Sequence, residues 1–490
     1  MALDDEDAEC APLLPKPSST GPRSVLIWAR VVTAVTSIAE GYCMGCFAGA
    51  LIPLSEGLGL THIQKGVISG TTYYGVTLGS LAGGISDIYG RKPALALSYV
   101  MLIVGGLLMG FAQDFVMLFI GRIVESMGIG LGLSIVTVYL SEVAPSSHRG
   151  MFSSMEETFL VGGMVLGSIL DEWFLRLFYD WRYMLGCAAV LPALALPVLL
   201  ATLPESPRYL FMKGRTDEAK AVLEQVTDHE EMSLIVASWK EQQTEMRPSS
   251  WADVLCPSDS NTKDAFIAAC LVAMSQMMSA PSLMGMMMPE FFGTFMEHST
   301  ALKFVILVNV VRLIYTGLIC TIIDDLGRRP LLLVSAGGCT ISLGFLGLAG
   351  VASFPVGWHL AGTILYFLFF ETGLGPVTYV FVGEVLDTKM RSKGLSIALF
   401  FSRGFMGTVL LVFPLMHTQL SMGVFLFVIC ALNVILFPLL WARVPETKGM
   451  VLEKMPTHVS EFLRQNTAPA RATWAYSPMA QKVARRQYTQ

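Results

Sequence analysis

Charge is scarce in this chain of 490 residues: acidic and basic side chains together make up 14%, against 53% hydrophobic ones. Soluble globular chains carry roughly 25% charged residues, so an ordinary water-exposed surface is excluded. Basic residues are in deficit as well, 33 Lys and Arg against 38 Asp and Glu, so nucleic acid is not an expected partner. The cysteines are scattered, most of them inside apolar runs (Cys43, Cys46, Cys187, Cys270, Cys320, Cys339, Cys430), which suits small packing residues and not a disulfide framework. Cys43-x-x-Cys46 on a membrane helix is one face, not a metal or redox site. No metal and no cofactor is expected. The polar segments carry no nucleotide loop, zinc-ligand set or nucleophile motif, which argues against an enzyme. Gly128-x-Gly130-x-Gly132 has no strand before it and reads as a helix-packing face. No cleavable leader is expected either, because Met1 to Glu9 is acidic and the first apolar run starts only near Val25.

What is abundant is long apolar sequence. Stretches of about twenty apolar residues bounded by charge, Gly or Pro recur about twelve times, with the second near 66–86, the seventh near 264–290 and the tenth near 358–384. The long polar interruption at 204–262 divides them. This predicts a tail over 1–24, six helices over 25–203, a loop with short helices over 204–262, six helices over 263–443 and a second tail over 444–490. Basic turns at Arg91-Lys92, Arg149, Arg328-Arg329 and Lys389-Arg391 fall on the side of that loop, whereas Asp171-Glu172 lies on the other. The positive-inside rule therefore places the loop and both termini in the cytosol.

The charged turn Gly83-Gly84-Ile85-Ser86-Asp87-Ile88-Tyr89-Gly90-Arg91-Lys92 has a looser copy, Asp324-Asp325-Leu326-Gly327-Arg328-Arg329. Each joins two apolar runs in its own half, which implies an internally duplicated membrane protein that moves solutes by rocking one half against the other. Near the start, Glu9-Cys10-Ala11-Pro12-Leu13-Leu14 matches an acidic dileucine signal of the kind clathrin adaptors read. Endosomal, lysosomal or vacuolar membranes and the plasma membrane both stay open as destinations.

Further motifs, in order, carry a resemblance. They are Gly121-Arg122, Tyr139-Leu140-Ser141-Glu142-Val143-Ala144-Pro145 with Arg149-Gly150, Pro204-Glu205-Ser206-Pro207-Arg208, Glu371 with Gly373, Gly375 and Pro376, Glu384 with Arg391, and Pro445-Glu446-Thr447-Lys448-Gly449. With the two charged turns they make the chain similar to the sugar porters of the major facilitator superfamily over nearly all its membrane region. The resemblance implies an all-α membrane protein of twelve transmembrane helices in two pseudo-symmetric six-helix bundles around one cavity. It also implies that Asp87, Arg91, Glu142, Arg149, Glu205, Asp324, Arg328, Glu384, Arg391 and Glu446 form a cytosolic gate network tying the halves together. Such ion pairs at helix ends are tolerable beside water and remain breakable.

The solute has to be argued from the cavity. Sugar porters typically carry paired glutamines, an asparagine and two tyrosines on the seventh span; here Ser275, Gln276, Pro281 with Ser282 beside it, Gly285 and Met286 stand at those places. Charges appear where relatives are usually neutral: Glu157 beside Glu156 on the fifth span, Arg312 on the eighth, and Arg403 at a position that is often tryptophan on the eleventh. Tyr379 falls where the family often has an aromatic cover on the tenth span. The expected solute-binding set is therefore Glu157, Gln276, Ser282, Arg312, Glu371, Tyr379 and Arg403. A Glu157–Arg312 pair replacing a neutral hydrogen bond is weighed against direct recognition by the guanidiniums. The methionines Met274, Met277, Met278, Met284, Met286, Met287 and Met288 read as adaptable apolar filler, not a copper route. Proton-coupled relatives carry Gly-Tyr-Asp on the first span, where this chain has Gly41-Tyr42-Cys43; that favours uniport, with Glu40 nearby as a candidate proton site. The expected function is carriage of a hexose or polyol. An organic-anion or sugar-acid carrier and a non-transporting nutrient sensor are the alternatives. The partners expected are a small-molecule solute, the lipid bilayer and, through the tail, clathrin adaptors.

Overall fold

The computed structural model describes residues 24–143, 149–177, 180–225, 259–386, 391–417, 419–448 and 455–467, with isolated positions between 232 and 257. The dileucine-like residues Glu9, Leu13 and Leu14 lie outside the described residues.

Helices dominate. In chain order the long passages are span 1 (Ser24–Leu58), span 2 (His62–Leu81), span 3 (Arg91–Gly110), span 4 (Phe115–Val143), span 5 (Arg149–Leu177) and span 6 (Trp181–Thr202). They continue with span 7 (Ser260–Gly293), span 8 (His298–Leu326), span 9 (Arg328–Val351), span 10 (Val356–Val385), span 11 (Arg391–His417) and span 12 (Met422–Arg443). Eleven of them are apolar enough by composition to cross a bilayer. Span 2 is the exception, and the reason is that its polar residues face inward: Ser69, Thr71, Thr72, Tyr73, Thr77 and Ser80 are all buried. Thr71, Thr77 and Ser80 return their hydroxyls to the carbonyls of Val67, Tyr73 and Val76 one turn back, so these donors are satisfied within the helix. A Thr61–Gln64 capping box starts this helix.

Spans 1 and 5, 2 and 4, and 3 and 4 pack together in the first half; spans 9 and 12, 9 and 10, and 7 and 11 do so in the second. The halves meet where span 2 lies against span 11, span 5 against span 8, and span 1 against the latter part of span 7. Spans 1 and 5 touch backbone to backbone. A Cβ on Gly41 would stand 1.9 Å from the Leu160 carbonyl oxygen, and one on Gly163 2.2 Å from that of Ile38.

Two spans are broken. Span 7 stops as a helix at Met278 and restarts at Pro281, with Ala280 in the left-handed region at φ 59°. The carbonyls freed there are taken up by Tyr366 Oη, which donates to Ser279 at 2.7 Å, and by Asn433 Nδ2, which donates to Met278 at 3.0 Å. Span 10 breaks between Thr372 and Pro376; Gln276 Nε2 donates to the Leu374 carbonyl at 2.8 Å, and the Leu374 amide donates to Ser335 Oγ at 2.9 Å. Irregular backbone at membrane depth survives only with such partners.

The duplicated turn is built the same way twice. Gly90 (φ 106°) and Gly327 (φ 85°) end the preceding helices, and Arg91 and Arg328 open the next. Glu205 Oε1 accepts from the Arg91 amide at 2.8 Å, and Glu446 Oε1 accepts from the Arg328 amide at 2.8 Å. A carboxylate at a helix N-terminus meets the positive end of the macrodipole. A Cβ at Gly90 would come 2.4 Å from Glu205 Oε2, and one at Gly327 2.8 Å from Glu446 Oε2. Both the backbone angle and the carboxylate thus demand glycine. Gly90→Ala and Gly327→Ala are each expected to lower the melting temperature of the purified protein by several degrees, whereas Gly84→Ala, where a Cβ meets nothing within 4 Å, leaves it unchanged.

Candidate functional site

Where the halves meet, a cavity of about 110 Å³ opens among spans 1, 2, 4, 5, 7, 8, 10 and 11. At ~10–15 Å³ per water this is room for on the order of eight waters, the scale of a small polyhydroxy compound. Of the solute-binding set expected from the sequence, Glu157, Gln276, Ser282, Arg312, Tyr379 and Arg403 line it, and so does Glu40. Glu371 does not: it is fully buried behind Arg312.

The ionisable groups sort themselves by half. Arg312 Nη2 and Nε donate to Glu371 Oε1 at 2.6 and 2.9 Å, both residues in the second half, and its guanidinium lies 4.3 Å from the Phe367 ring centre. The weighed Glu157–Arg312 pair is therefore corrected: the carboxylate that occupies Arg312 is Glu371, one helix away within the same half. The first half carries a matching arrangement. Arg122 Nη1 donates to Glu125 Oε2 at 2.6 Å, Nε to Thr72 Oγ1 at 3.0 Å, and the guanidinium stacks 3.9 Å from Phe47. Delocalised guanidinium against an aromatic face, with a carboxylate at its edge, is the arrangement that lets an arginine survive low dielectric. Arg403 differs, since Nη2 donates to the neutral Tyr379 Oη at 2.7 Å.

Arg122, Glu125, Thr72 and Tyr73 were not among the residues expected at the site. An Arg-x-x-Glu within an apolar helix is itself the signal that would have found the pair, since ionisable groups at membrane depth sit on a cavity or on each other. Tyr73 Oη donates to Ser282 Oγ across the halves in a close contact. Gln276 is oriented by the break in span 10, its amide nitrogen on the Leu374 carbonyl and its Oε1 left without a partner. Met277 and Met286 line the cavity, whereas Met284, Met287 and Met288 are buried core.

At the end of the bundle that carries the charged turns, Arg91 holds Glu142 through Nε and Nη2 at 3.0 and 2.8 Å and Asp87 at 3.1 Å. Ser206 Oγ donates to Glu142 at 2.5 Å. In the second half Arg328 Nη2 donates to Glu384 at 3.0 Å, and Thr447 Oγ1 to Glu384 at 2.6 Å. Among the described residues, the Arg91–Glu142 and Arg328–Glu384 pairs each lie within one half. The side chains of Arg149, Asp324 and Arg391 lie outside the described residues. Neutral groups link the halves: Tyr74 Oη with Thr408 Oγ1 at 2.8 Å, Asn309 Nδ2 to Ser168 Oγ at 3.0 Å, and Tyr73 with Ser282.

A broken-helix cavity between duplicated halves is the geometry of a secondary transporter, and the sequence agrees: residues 29–458 match the family model described as sugar (and other) transporter. The chain belongs to this family, within the major facilitator superfamily. Polyol transporter 5 of Arabidopsis thaliana is 30% identical over 463 residues, covering 88% of this chain and 86% of that one. D-xylose-proton symporter-like 1 of the same plant is 29% identical, covering 91% and 94%. The fold matches the proton:xylose symporter XylE bound to 6-bromo-6-deoxy-D-glucose, with a TM-score of 0.79 at 22% identity over 89% of this chain and all of that one. The transporter is thus a twelve-helix major facilitator protein.

The Arg312–Glu371 pair gives a direct test. Glu371→Gln leaves a buried guanidinium without its counter-charge, a loss of about 3–5 kcal/mol, and is expected to reduce folded yield and melting temperature sharply. The double replacement Arg312→Met with Glu371→Leu removes both charges and is expected to restore most of the melting temperature.

Proposed function

We propose that the protein carries a small neutral polyhydroxy solute, a polyol or hexose, by alternating access and without obligatory proton coupling. The observation that carries this reading is the charge pattern of the cavity wall. Two of its three arginines, Arg122 and Arg312, are occupied by Glu125 and Glu371. An anion entering the cavity meets one arginine without a carboxylate, Arg403, and the carboxyl groups of Glu40 and Glu157. A hydroxylated neutral solute meets instead the amide of Gln276, the hydroxyls of Thr72, Tyr73, Ser282 and Tyr379, and those same charged groups. The balance favours it over the sugar-acid or organic-anion alternative. Similarity to a plant polyol transporter supports the same class.

Cys43, where proton-coupled relatives carry aspartate, supports uniport, with Glu40 the group to test for a proton role. The basic turns put both termini and the charged ends of the helices in the cytosol in this reading. There the Arg91–Glu142 and Arg328–Glu384 pairs fix the helix ends of each half into a rigid face, so that the two faces close and part as units. Movement then breaks the described neutral contacts between halves and leaves these two charged pairs made.

Proteoliposomes of the purified protein are expected to take up labelled D-sorbitol, xylitol, myo-inositol or D-glucose saturably, with no dependence on a pH gradient and no uptake of gluconate or glucuronate. Uptake of the acids alone overturns the reading of the solute, and gradient-driven accumulation overturns uniport. Glu384→Gln is expected to reduce the uptake rate at least about tenfold, roughly 1.4 kcal/mol in a barrier, while the variant still inserts; full activity would remove the gate role.

A further inference from the structure

Two charged side chains on the cavity wall have needs that the rest of the wall does not meet. Glu40, on span 1 in the first half, is 3% exposed and lines the cavity, and its Oε1 has no hydrogen-bond partner. Arg403, on span 11 in the second half, is likewise 3% exposed and on the cavity wall; Nη2 is engaged by Tyr379, while Nε is enclosed without a partner. Glu40 and Arg403 form no ion pair with each other among the described residues. The other groups around them are Tyr73 of span 2, Glu156 and Glu157 of span 5 and Tyr379 of span 10. None of these satisfies Glu40 Oε1 or Arg403 Nε.

An unmet acceptor and an unmet donor, on two residues that line one void from opposite halves, suit a ligand whose groups both donate and accept. A hydroxyl does both; a carboxylate only accepts, and an ammonium only donates. Neighbouring hydroxyls on adjacent carbons supply one proton to the carboxylate and one lone pair to the guanidinium without any change of charge on the solute.

We propose that Glu40 and Arg403 form a recognition pair for a vicinal diol: one hydroxyl of the solute donates to Glu40 and its neighbour accepts from Arg403. The solute thereby completes a link between the two halves that the protein by itself leaves open. This rests on the polyhydroxy-solute reading and assigns Glu40 to solute recognition in place of proton carriage. Small rotations of the two side chains into the cavity are all the motion it needs. Because one partner belongs to each half, occupancy by a diol favours the closed arrangement of the halves over the open one, which is differential binding of the kind that shifts a conformational equilibrium.

The test uses the full chain in proteoliposomes, with labelled D-sorbitol as solute and its 2-, 3- and 4-deoxy analogues as competitors. Glu40→Gln and Arg403→Gln are each expected to raise the KM for D-sorbitol about tenfold, equivalent to about 1.4 kcal/mol, with turnover kept within about threefold. At least one deoxy analogue should compete about tenfold less well than D-sorbitol for the parent protein and no worse than D-sorbitol for the variants, the non-additivity expected of one shared contact. Arg403→Lys, which keeps the charge but loses Nε, serves if Arg403→Gln does not fold, and the same rise in KM is expected. An unchanged KM in both variants overturns the proposal, as does loss of a pH-gradient response in Glu40→Gln with KM unaltered. Failure of the parent to transport D-sorbitol overturns the functional reading on which the proposal stands; uptake by the parent with insensitive variants overturns the recognition pair alone.

Discussion

Charge inside an apolar bundle has to be neutralised, and in this protein the arginines that have a carboxylate partner on the cavity wall find it within their own half. Arg122 takes Glu125 three residues along the same helix, and Arg312 takes Glu371 from the neighbouring span 10. Removing one partner of a buried pair strands the other at a cost of several kcal/mol. A carrier whose halves move apart in each cycle would meet that cost repeatedly if the pairs bridged the halves. Keeping these two pairs internal lets the halves separate without breaking either of them.

The same economy governs the ends of the helices. Glu205 and Glu446 cap the amides of Arg91 and Arg328, and those arginines reach Glu142 and Glu384 in the same half. Each set welds a turn, two helix ends and a following segment into one block. Between the blocks the described side-chain contacts include Tyr73 with Ser282, Tyr74 with Thr408, Asn309 with Ser168, Thr158 with Cys320, and Arg312 Nη1 to Met164 Sδ at 3.4 Å, none of them an ion pair. A neutral hydrogen bond has a net worth of about 0.5–1.5 kcal/mol, so such an interface can open on the energy of solute binding. The broken helices of spans 7 and 10 add local freedom beside the cavity, and their freed carbonyls are held by Tyr366, Asn433 and Gln276 from neighbouring spans.

Much of this was legible in the chain. Low charge with long apolar runs requires a membrane protein, because water cannot be the solvent for that surface. The repeated Gly-Arg turns point to a duplication, and the positive φ of Gly90 and Gly327, with a carboxylate against each, gives both copies one geometry. The order of the motifs carries the family, and the ionisable residues in apolar helices mark the cavity, because elsewhere they would face lipid. Hence Glu157, Arg312 and Arg403 were legible as cavity groups, whereas Glu40 was read as a candidate proton site and the structure adds its place on the cavity wall. Span 2 was placed near 66–86 from its apolar residues and runs from His62 to Leu81, with its hydroxyls pointing inward.

Who pairs with whom was not legible. Glu157 and Glu371 are both carboxylates within reach of Arg312 as far as sequence pattern goes, and only the packing of span 8 against span 10 decides for Glu371. The Arg122–Glu125 pair, by contrast, follows from a three-residue spacing on one helix; what the chain did not show is the place of Arg122 on the cavity wall, set by the approach of span 4 to spans 1 and 2. Sequence thus determined the solvent, the duplication and which groups must avoid lipid, since these follow from transfer energies and backbone angles that belong to single residues. The tertiary structure alone decided the pairing of charges between helices and the half within which each such pair closes, because those depend on distances between helices that no local pattern encodes.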